Sequence, residues 1–176
     1  MTIPAHGRQP EEEIPPGGDR RRQAHFRGRT FRFPLRVYYE DTDAGGIVHH
    51  ARYLAFLERA RSEMLWALGL NDWGEPTAGK TVVRFAIAKA DLVFRCPARL
   101  FDRLWTETQI RHIGAASMQA VQVILRGEEA LVYAHIKAAS VDETGRPRRL
   151  PAHWRRRLTP LVVPAEAPEA LDPAGP

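Results

Sequence analysis

An acidic turn followed by two adjacent histidines is the stretch of the sequence best equipped for chemistry. It reads Glu40-Asp41-Thr42-Asp43-Ala44-Gly45-Gly46 and, two apolar residues later, His49-His50. Carboxylates, glycines and imidazoles in this order suit a cation site, a phosphate-binding loop, or acid–base or nucleophilic catalysis. The neighbouring residues distinguish these three kinds of site.

Neither a bound cation nor a bound phosphate fits the turn well. A calcium loop that opens at Asp41 requires a bidentate glutamate at its last ligand position, and Arg52 stands there. A glycine pair is a weak indication of phosphate binding, and no Lys-Ser or Lys-Thr follows it. The adjacent His49 and His50 are expected to point in different directions, and no third ligand stands at a suitable spacing for zinc. We therefore expect no metal and no other cofactor.

A carboxylate mechanism is the chemistry that remains. The sequence has no Gly-x-Ser-x-Gly motif, and Cys96, which precedes a proline at a predicted strand end, suits packing better than catalysis. Asp43 lies shortly before a predicted helix N-terminus, whose dipole favours negative charge and can stabilise an oxyanion. The alternative is that Asp41 or Asp43 only caps the helix or closes the turn. Spacing alone does not decide between these two roles.

The elements that must position this turn follow from the apolar periodicity. A strand over 32–40 enters the turn, and a helix begins near His49 or Ala51 and ends before Gly69. Its apolar stripe consists of Tyr53, Leu57, Ala60 and Met64, widened by Phe56 and Trp66. After a loop over 71–80 the period changes to two, which predicts strands over 81–95, 104–110, 116–126 and 131–141. The fold class is therefore α+β, an antiparallel sheet of about five strands wrapped around one long central helix.

Composition bounds the domain and its partners. Residues 1–29 form a basic, proline-rich tail expected to be disordered, 30–158 form the folded domain, and 159–176 form a second disordered tail rich in proline and alanine. Six arginines from Arg146 to Arg157 contribute strongly to the net charge of +5. We interpret this segment as a solvated basic end that could also touch acidic lipid. Aromatic residues are not interleaved with the bases as single-stranded nucleic-acid binding requires. The sequence predicts no membrane span and no signal peptide, and its single cysteine suits the cytoplasm.

Four stretches resemble one family in particular. They are VYYEDTDAGGIVHHARYL from Val37 to Leu54, ERARSEML from Glu58 to Leu65, PARL from Pro97 to Leu100, and GRPRRLP from Gly145 to Pro151. They resemble the 4-hydroxybenzoyl-CoA thioesterase superfamily and, within it, the Tol–Pal-associated acyl-CoA thioesterase group (YbgC-like). The resemblance covers about 31–158. It implies a hotdog fold, a homodimer or homotetramer with active sites at the subunit interface, and hydrolysis of an acyl-CoA to CoA and a carboxylic acid.

The resemblance also assigns residues. Asp43 matches the family's catalytic aspartate, as nucleophile or general base, and His50 matches its polar helper. Tyr39 and Gly46, which flank the carboxylate, are candidates for substrate binding, and the phosphates of CoA call for exposed bases. The candidate bases are Arg84, Lys89, Arg99 and Arg103. His49 departs from the aromatic residue usual in relatives.

Two further expectations concern partners and alternatives. We consider an acyl carrier protein as an additional partner, and peripheral contact of the cytoplasmic protein with the inner membrane. The competing function is a non-catalytic module that binds acyl-CoA or an acyl carrier protein at the cell envelope. Turnover of an acyl-CoA distinguishes the enzyme from such a module.

Overall fold

The computed structural model of the chain describes residues 23–70, 83–166 and 171. Its strands are β1 (His25–Arg27), β2 (Thr30–Arg36), β3 (Arg84–Phe94), β4 (Arg103–Ile113), β5 (Ser117–Arg126) and β6 (Glu129–Val141), and its helices are α1 (His50–Ala67) and α2 (Ala152–Leu158). The six strands form one antiparallel sheet in the order β1-β2-β4-β5-β6-β3. The predicted class, an α+β hotdog fold, is confirmed.

Helix α1 packs one face against the sheet. Its buried residues follow the helical period, and they are Tyr53, Phe56, Leu57, Ala60, Arg61, Met64 and Leu65. The helix ends as predicted at Gly69, whose φ of +64° suits glycine, and the Leu70 N–H then donates to the Leu65 carbonyl at 2.9 Å. Its 18 residues span about 27 Å, so it is of moderate length rather than long. The prediction that Trp66 widens the buried face is wrong, because its side chain is 60% exposed.

A buried polar network holds α1 on the sheet, and the sequence pattern did not reveal it. The Arg61 guanidinium donates from Nη1 to Gln122 Oε1 at 2.6 Å. The Gln122 amide donates to the Leu57 carbonyl at 3.0 Å and to Thr108 Oγ1 at 2.9 Å. Burial lowers the pKa of Arg61 from its ordinary value. Since buried polar groups require partners, this network fixes how the helix sits on β4 and β5.

The N-terminal side of the domain differs from the prediction in two places. Strand β1 lies within the predicted disordered tail, where it pairs with β2, so the folded part of the chain begins before residue 30. The strand expected over 32–40 ends at Arg36, and a 3₁₀ turn follows at Tyr39–Asp41. The loop predicted over 71–80 lies outside the described residues.

The C-terminal side is more ordered than expected. Helix α2 buries Trp154 completely, with its ring 5.5 Å from that of Phe85. Five of the six arginines from Arg146 to Arg157 are nevertheless exposed, in keeping with a solvated basic end. Beyond it the Val163 N–H donates to the Ile110 carbonyl at 2.8 Å. Packed structure therefore continues past the predicted boundary at Leu158, because this segment extends the sheet where β2 stops covering β4.

Strand β3 is the outer strand of the sheet beside β6. Its side chains are mostly exposed on both faces, including Ile87, Val93 and Phe94. A long edge strand presents unpaired backbone donors and acceptors to a further strand. Within the described residues, no helix combines the length and apolar character needed to cross a bilayer.

Candidate active site

A tight hairpin holds the Asp43 carboxylate. Thr42 and Val48 pair across it, the Asp43 N–H donates to the Ile47 carbonyl at 3.0 Å, and the Gly45 N–H donates to Asp43 Oδ1 at 2.8 Å. A Cβ atom at Gly45 would lie 3.0 Å from Oδ1, so glycine there admits the carboxylate against the backbone. Oδ2 accepts no hydrogen bond from the described residues. One carboxylate oxygen is thus fixed and the other is available.

Asp41 faces the opposite way and is 1% exposed. Its Oδ1 accepts hydrogen bonds from Arg52 Nε at 2.8 Å and Nη2 at 2.6 Å, and its Oδ2 accepts from the Tyr38 N–H at 2.9 Å. Its carbonyl oxygen accepts from the His49 N–H at 2.9 Å, which joins the turn to the start of α1. Asp41 therefore closes the turn, one of the two roles that its position in the sequence left open.

Two stacked histidines begin α1. His49 is the N-cap residue, and its Nδ1 accepts a hydrogen bond from the Ala51 N–H at 3.3 Å. The alternative that Asp41 or Asp43 caps this helix is therefore excluded. The His49 and His50 rings lie 4.2 Å apart between centroids, so they do not diverge as expected from their adjacency. No group of three or more His, Cys, Asp or Glu side chains in the described ranges could hold a metal ion.

The segment between β3 and β4 packs against the hairpin. The Val48 N–H donates to the Ala98 carbonyl at 2.9 Å, and Ile47 pairs with Arg99. The Ala98 N–H in turn donates to the hydroxyl oxygen of Tyr53 at 2.9 Å. A backbone hydrogen bond therefore links the hairpin to the connecting segment, and the Tyr53 hydroxyl links that segment to the helix, which limits how far Asp43 can move relative to α1.

Arg126 anchors the same segment from the sheet. It donates from Nη1 to Asp102 Oδ2 at 2.9 Å and to the Pro97 carbonyl at 3.4 Å, and from Nη2 to Glu129 Oε2 at 2.7 Å. The Cys96 thiol forms its own hydrogen bond to the Glu129 carboxylate, and this bond raises the pKa of Cys96. Burial adds to the effect. Cys96 therefore keeps its proton at neutral pH, which favours the packing role over catalysis.

These elements enclose a cavity of about 350 Å³. It is lined by Asp43, Ile47, Val48, His50, Tyr53, Phe94, Arg95, Cys96 and Pro97. The structure thus brings Asp43 and His50, the two predicted catalytic residues, to one mostly apolar pocket. A cleft with an apolar lining and a few convergent polar groups is the usual form of a small-molecule site.

The predicted substrate-binding residues are more dispersed. Gly46 forms the hairpin tip with φ +75°, and Tyr39 is 73% exposed in edge contact with Phe101. Arg99 is joined to the hairpin through its backbone. Lys89 and Arg84 lie on β3 away from the lining, and Lys89 forms an ion pair with Asp91 at 2.6 Å beside a second groove of about 420 Å³.

Of the nine lining residues, only Asp43 and His50 were predicted as site residues. Ile47 and Val48 lie within the same motif, and Cys96 was assigned to packing, which leaves Tyr53, Phe94, Arg95 and Pro97. Tyr53 had a usable signal, because it follows His50 by three positions and so shares its helix face. The other three come from a strand end more than forty residues away in sequence, and only the tertiary fold brings them to Asp43.

Comparisons with known proteins agree with this geometry. A family model described as "Thioesterase superfamily" matches residues 45–133. The chain is 41% identical over 123 residues to the acyl-CoA thioester hydrolase YbgC of Escherichia coli, covering 69% of this chain and 90% of that protein. It is 39% identical over 112 residues to the acyl-CoA thioesterase YbgC of Haemophilus influenzae, covering 64% and 81%. A probable thioesterase from Bartonella henselae superposes with a TM-score of 0.65 at 39% identity, over 69% of this chain and 99% of that one.

Proposed function

The chain belongs to the thioesterase superfamily, and from that premise we propose that Asp43 and His50 catalyse the hydrolysis of an acyl-CoA thioester in the cavity between the hairpin and α1. The observation that carries the proposal is the arrangement of the two side chains. A carboxylate with one free oxygen and an imidazole at a helix N-terminus line the same apolar pocket. The apolar wall suits an acyl chain.

Each residue has a role in the proposed reaction. Asp43 either attacks the thioester carbonyl carbon through Oδ2 or removes a proton from a water molecule that attacks. The new C–O bond sends the carbonyl π electrons to oxygen, where His50 and the positive end of α1 stabilise the charge. Collapse reforms the carbonyl, breaks the C–S bond and releases the CoA thiolate. In the general-base route the product is the carboxylic acid, and the thiolate takes up the proton that Asp43 removed from water. In the nucleophilic route the product is an acyl–Asp43 anhydride, which water hydrolyses to the carboxylic acid and free Asp43, and a proton of that water passes to the thiolate.

Replacement of one carboxylate tests the assignment. We expect Asp43→Asn to abolish acyl-CoA hydrolysis while the unfolding midpoint stays near that of the wild type. Glu128→Gln is a matched control, because Glu128 is exposed in the β5–β6 turn and should retain full activity. Full activity in Asp43→Asn would refute the proposal. Binding of acyl-CoAs by the wild type with no turnover of any would favour the non-catalytic alternative.

A single-turnover experiment in ¹⁸O-labelled water detects a nucleophilic Asp43 when water opens the anhydride at the aspartyl carbon. If the carboxylate activates water, every product carboxylate carries one labelled oxygen after the first turnover. If Asp43 forms an acyl anhydride and water then attacks the aspartyl carbon, the first product carries an oxygen from the enzyme and the label enters Asp43.

The edge strand supports a homodimer, as the resemblance implies. We propose that two copies of β3 pair antiparallel about a two-fold axis, which satisfies the exposed edge of each. Such pairing sets the partner's Arg84 near Phe94 at the cavity. Val141 is the Cα partner of Arg84 on β6 and precedes the turn that carries Arg146 and Arg148. The partner would thus bring a basic cluster to the mouth of this site, suited to the phosphates of CoA.

Two further proposals rest on family resemblance. They are a cytoplasmic location beside the inner membrane with a link to the Tol–Pal system, and an acyl carrier protein as an additional acyl donor. Neighbouring genes test the first, and assays with acyl groups on CoA and on a carrier protein test the second. Lys89 and Arg99 stay predictions for phosphate binding.

A further inference from the structure

Tyr53 has a fixed position in the cavity wall. It lies one helical turn after His50, is 3% exposed and lines the pocket with Asp43. Its ring makes edge contacts with the rings of Phe56 and Phe94, at centroid distances of 6.0 and 5.6 Å. These contacts fix the plane of the ring, so the hydroxyl group has little freedom except rotation about its C–O bond.

The hydrogen bonding of that hydroxyl is half complete. Its oxygen accepts from the Ala98 N–H at 2.9 Å, and the Ala98 residue is itself held by the Val48 N–H. A tyrosine hydroxyl also donates one hydrogen bond, and it donates to no group among the described residues. Burial raises the pKa of Tyr53, so the group keeps this proton at neutral pH. A buried donor without an acceptor is unfavourable, and a ligand acceptor would remove that cost.

The acceptor should lie in the cavity. The rings of Phe56 and Phe94 pack on the ring of Tyr53, and the Ala98 N–H occupies one side of its hydroxyl oxygen. The side that stays open to an acceptor is the pocket that Tyr53 lines together with Asp43 and His50. Of the groups in an acyl thioester, the carbonyl oxygen is the strong acceptor. The carbonyl oxygen must also lie near Asp43, because the Asp43 carboxylate or the water that it activates attacks the adjacent carbonyl carbon.

We propose that Tyr53 is a further catalytic residue, whose hydroxyl donates a hydrogen bond to the carbonyl oxygen of the bound thioester. The inference rests on the proposed hydrolysis. As the attacking oxygen forms its bond to carbon, the π electrons move to the carbonyl oxygen and the hydrogen bond from Tyr53 strengthens. Because the Ala98 N–H already holds the phenol oxygen, the donor is in place before the reaction begins.

Tyr53→Phe removes the hydroxyl and keeps the ring. We expect kcat/KM to fall by about 10²–10³-fold, as for loss of one oxyanion donor, with about tenfold of this loss appearing as a higher KM because the bound thioester already accepts the hydrogen bond. The variant also leaves the Ala98 N–H without its acceptor, so a structural effect must be separated from a catalytic one. Two non-hydrolysable ligands do this, a ketone analogue with CH₂ in place of sulfur and a thioether analogue that lacks the carbonyl oxygen.

The two analogues give opposite expectations for the two roles. If Tyr53 contacts the carbonyl oxygen, Tyr53→Phe weakens binding of the ketone about tenfold or more and leaves the thioether Kd unchanged. Phe56→Leu is the matched control, because it loosens the packing around the ring and keeps the hydroxyl. It should not discriminate between the analogues.

Two results would overturn the inference. The first is a kcat of Tyr53→Phe within threefold of the wild type, and the second is an equal weakening of the binding of both analogues. If Tyr53→Phe does not fold, 3-fluorotyrosine at Tyr53 provides a stronger donor and should tighten ketone binding alone. Failure of the wild type to hydrolyse any acyl-CoA would reject the proposed function, whereas the comparison of analogues would still decide the Tyr53 contact.

Discussion

Removal of the Asp41 carboxylate should destabilise the fold and disable the site, although Asp41 does not face the cavity. Asp41→Ala deletes the acceptor of three hydrogen bonds, two from Arg52 and one from the Tyr38 N–H. The hairpin that carries Asp43 then loses its buried side-chain connection to α1. What remains of this joint is the backbone bond from His49 to the carbonyl of residue 41 and the exposed ion pair between Glu40 and Arg52 at 3.3 Å.

The magnitude follows from the burial of each partner. Loss of a charged acceptor for the Tyr38 N–H costs about 1.5–3 kcal/mol. Breaking a fully buried ion pair costs about 3–5 kcal/mol, but the Arg52 side chain is 30% exposed and regains water, so its share is about 1–2 kcal/mol. The free energy of unfolding should thus fall by about 2.5–5 kcal/mol, a large part of the usual stability of a domain.

Urea unfolding and steady-state kinetics test this estimate together. Asp41→Ala should lower the urea midpoint at constant m-value, and kcat per folded molecule should fall by about 10–100-fold because Asp43 is displaced. Glu40→Ala is the control, since Glu40 is 68% exposed, contacts the same Arg52 Nη2 at 3.3 Å and should cost no more than about 1 kcal/mol. A loss of stability below about 1 kcal/mol in Asp41→Ala, or equal losses in both variants, would refute the role of the Asp41 carboxylate in joining the hairpin to α1.

Three further predictions follow from the edge strand, the C-terminal helix and the cavity wall. Ile87→Lys should convert a dimer into a monomer of 19.9 kDa by light scattering and abolish activity, whereas an unchanged mass would contradict pairing through β3. Trp154→Ala should lower the free energy of unfolding by about 3–5 kcal/mol in urea titrations, and a loss below 1 kcal/mol would contradict its burial. Glu129→Ala removes the acceptor that raises the pKa of Cys96, so iodoacetamide should alkylate the thiol faster at about pH 8. An unchanged rate would contradict that hydrogen bond.

An element could be predicted when the residues that define it are close together in the sequence. Helix α1 was predictable because its apolar stripe and terminal glycine are local features of the sequence. Apolar residues also recur every four positions in α2 and just before it, at Leu150, Trp154 and Leu158, but the dense arginines between them obscured this pattern. Strand β1 has three residues and little apolar content, so only its pairing with β2 defines it. Short elements that depend on a neighbour leave little trace in the sequence.

The site divides in the same way. The motif from Asp41 to His50 is contiguous, so its chemistry could be argued from spacing and resemblance. The opposite wall, from Phe94 to Pro97, reaches the cavity through pairing of β3 with β6 and through bonds to Arg126, none of which is local. The buried Arg61 was missed for a related reason, because a charged residue on a helix is assigned to the polar face unless its partner, here Gln122, is known.

The two aspartates of the hairpin cannot exchange roles, although they stand two residues apart. Asp41 is buried with three donors that satisfy its charge, so it has no free oxygen to offer a substrate and its removal leaves Arg52 and the Tyr38 N–H without their acceptor. Asp43 accepts one backbone hydrogen bond and keeps an oxygen toward the pocket. Rigidity and reactivity make opposite demands on a carboxylate. Residues i and i+2 of a regular strand would share one face, but the 3₁₀ turn that ends at Asp41 separates the surroundings of the two acids. A turn with a single aspartate could satisfy only one of these demands, which is the physical reason to expect both acids wherever this hairpin serves catalysis.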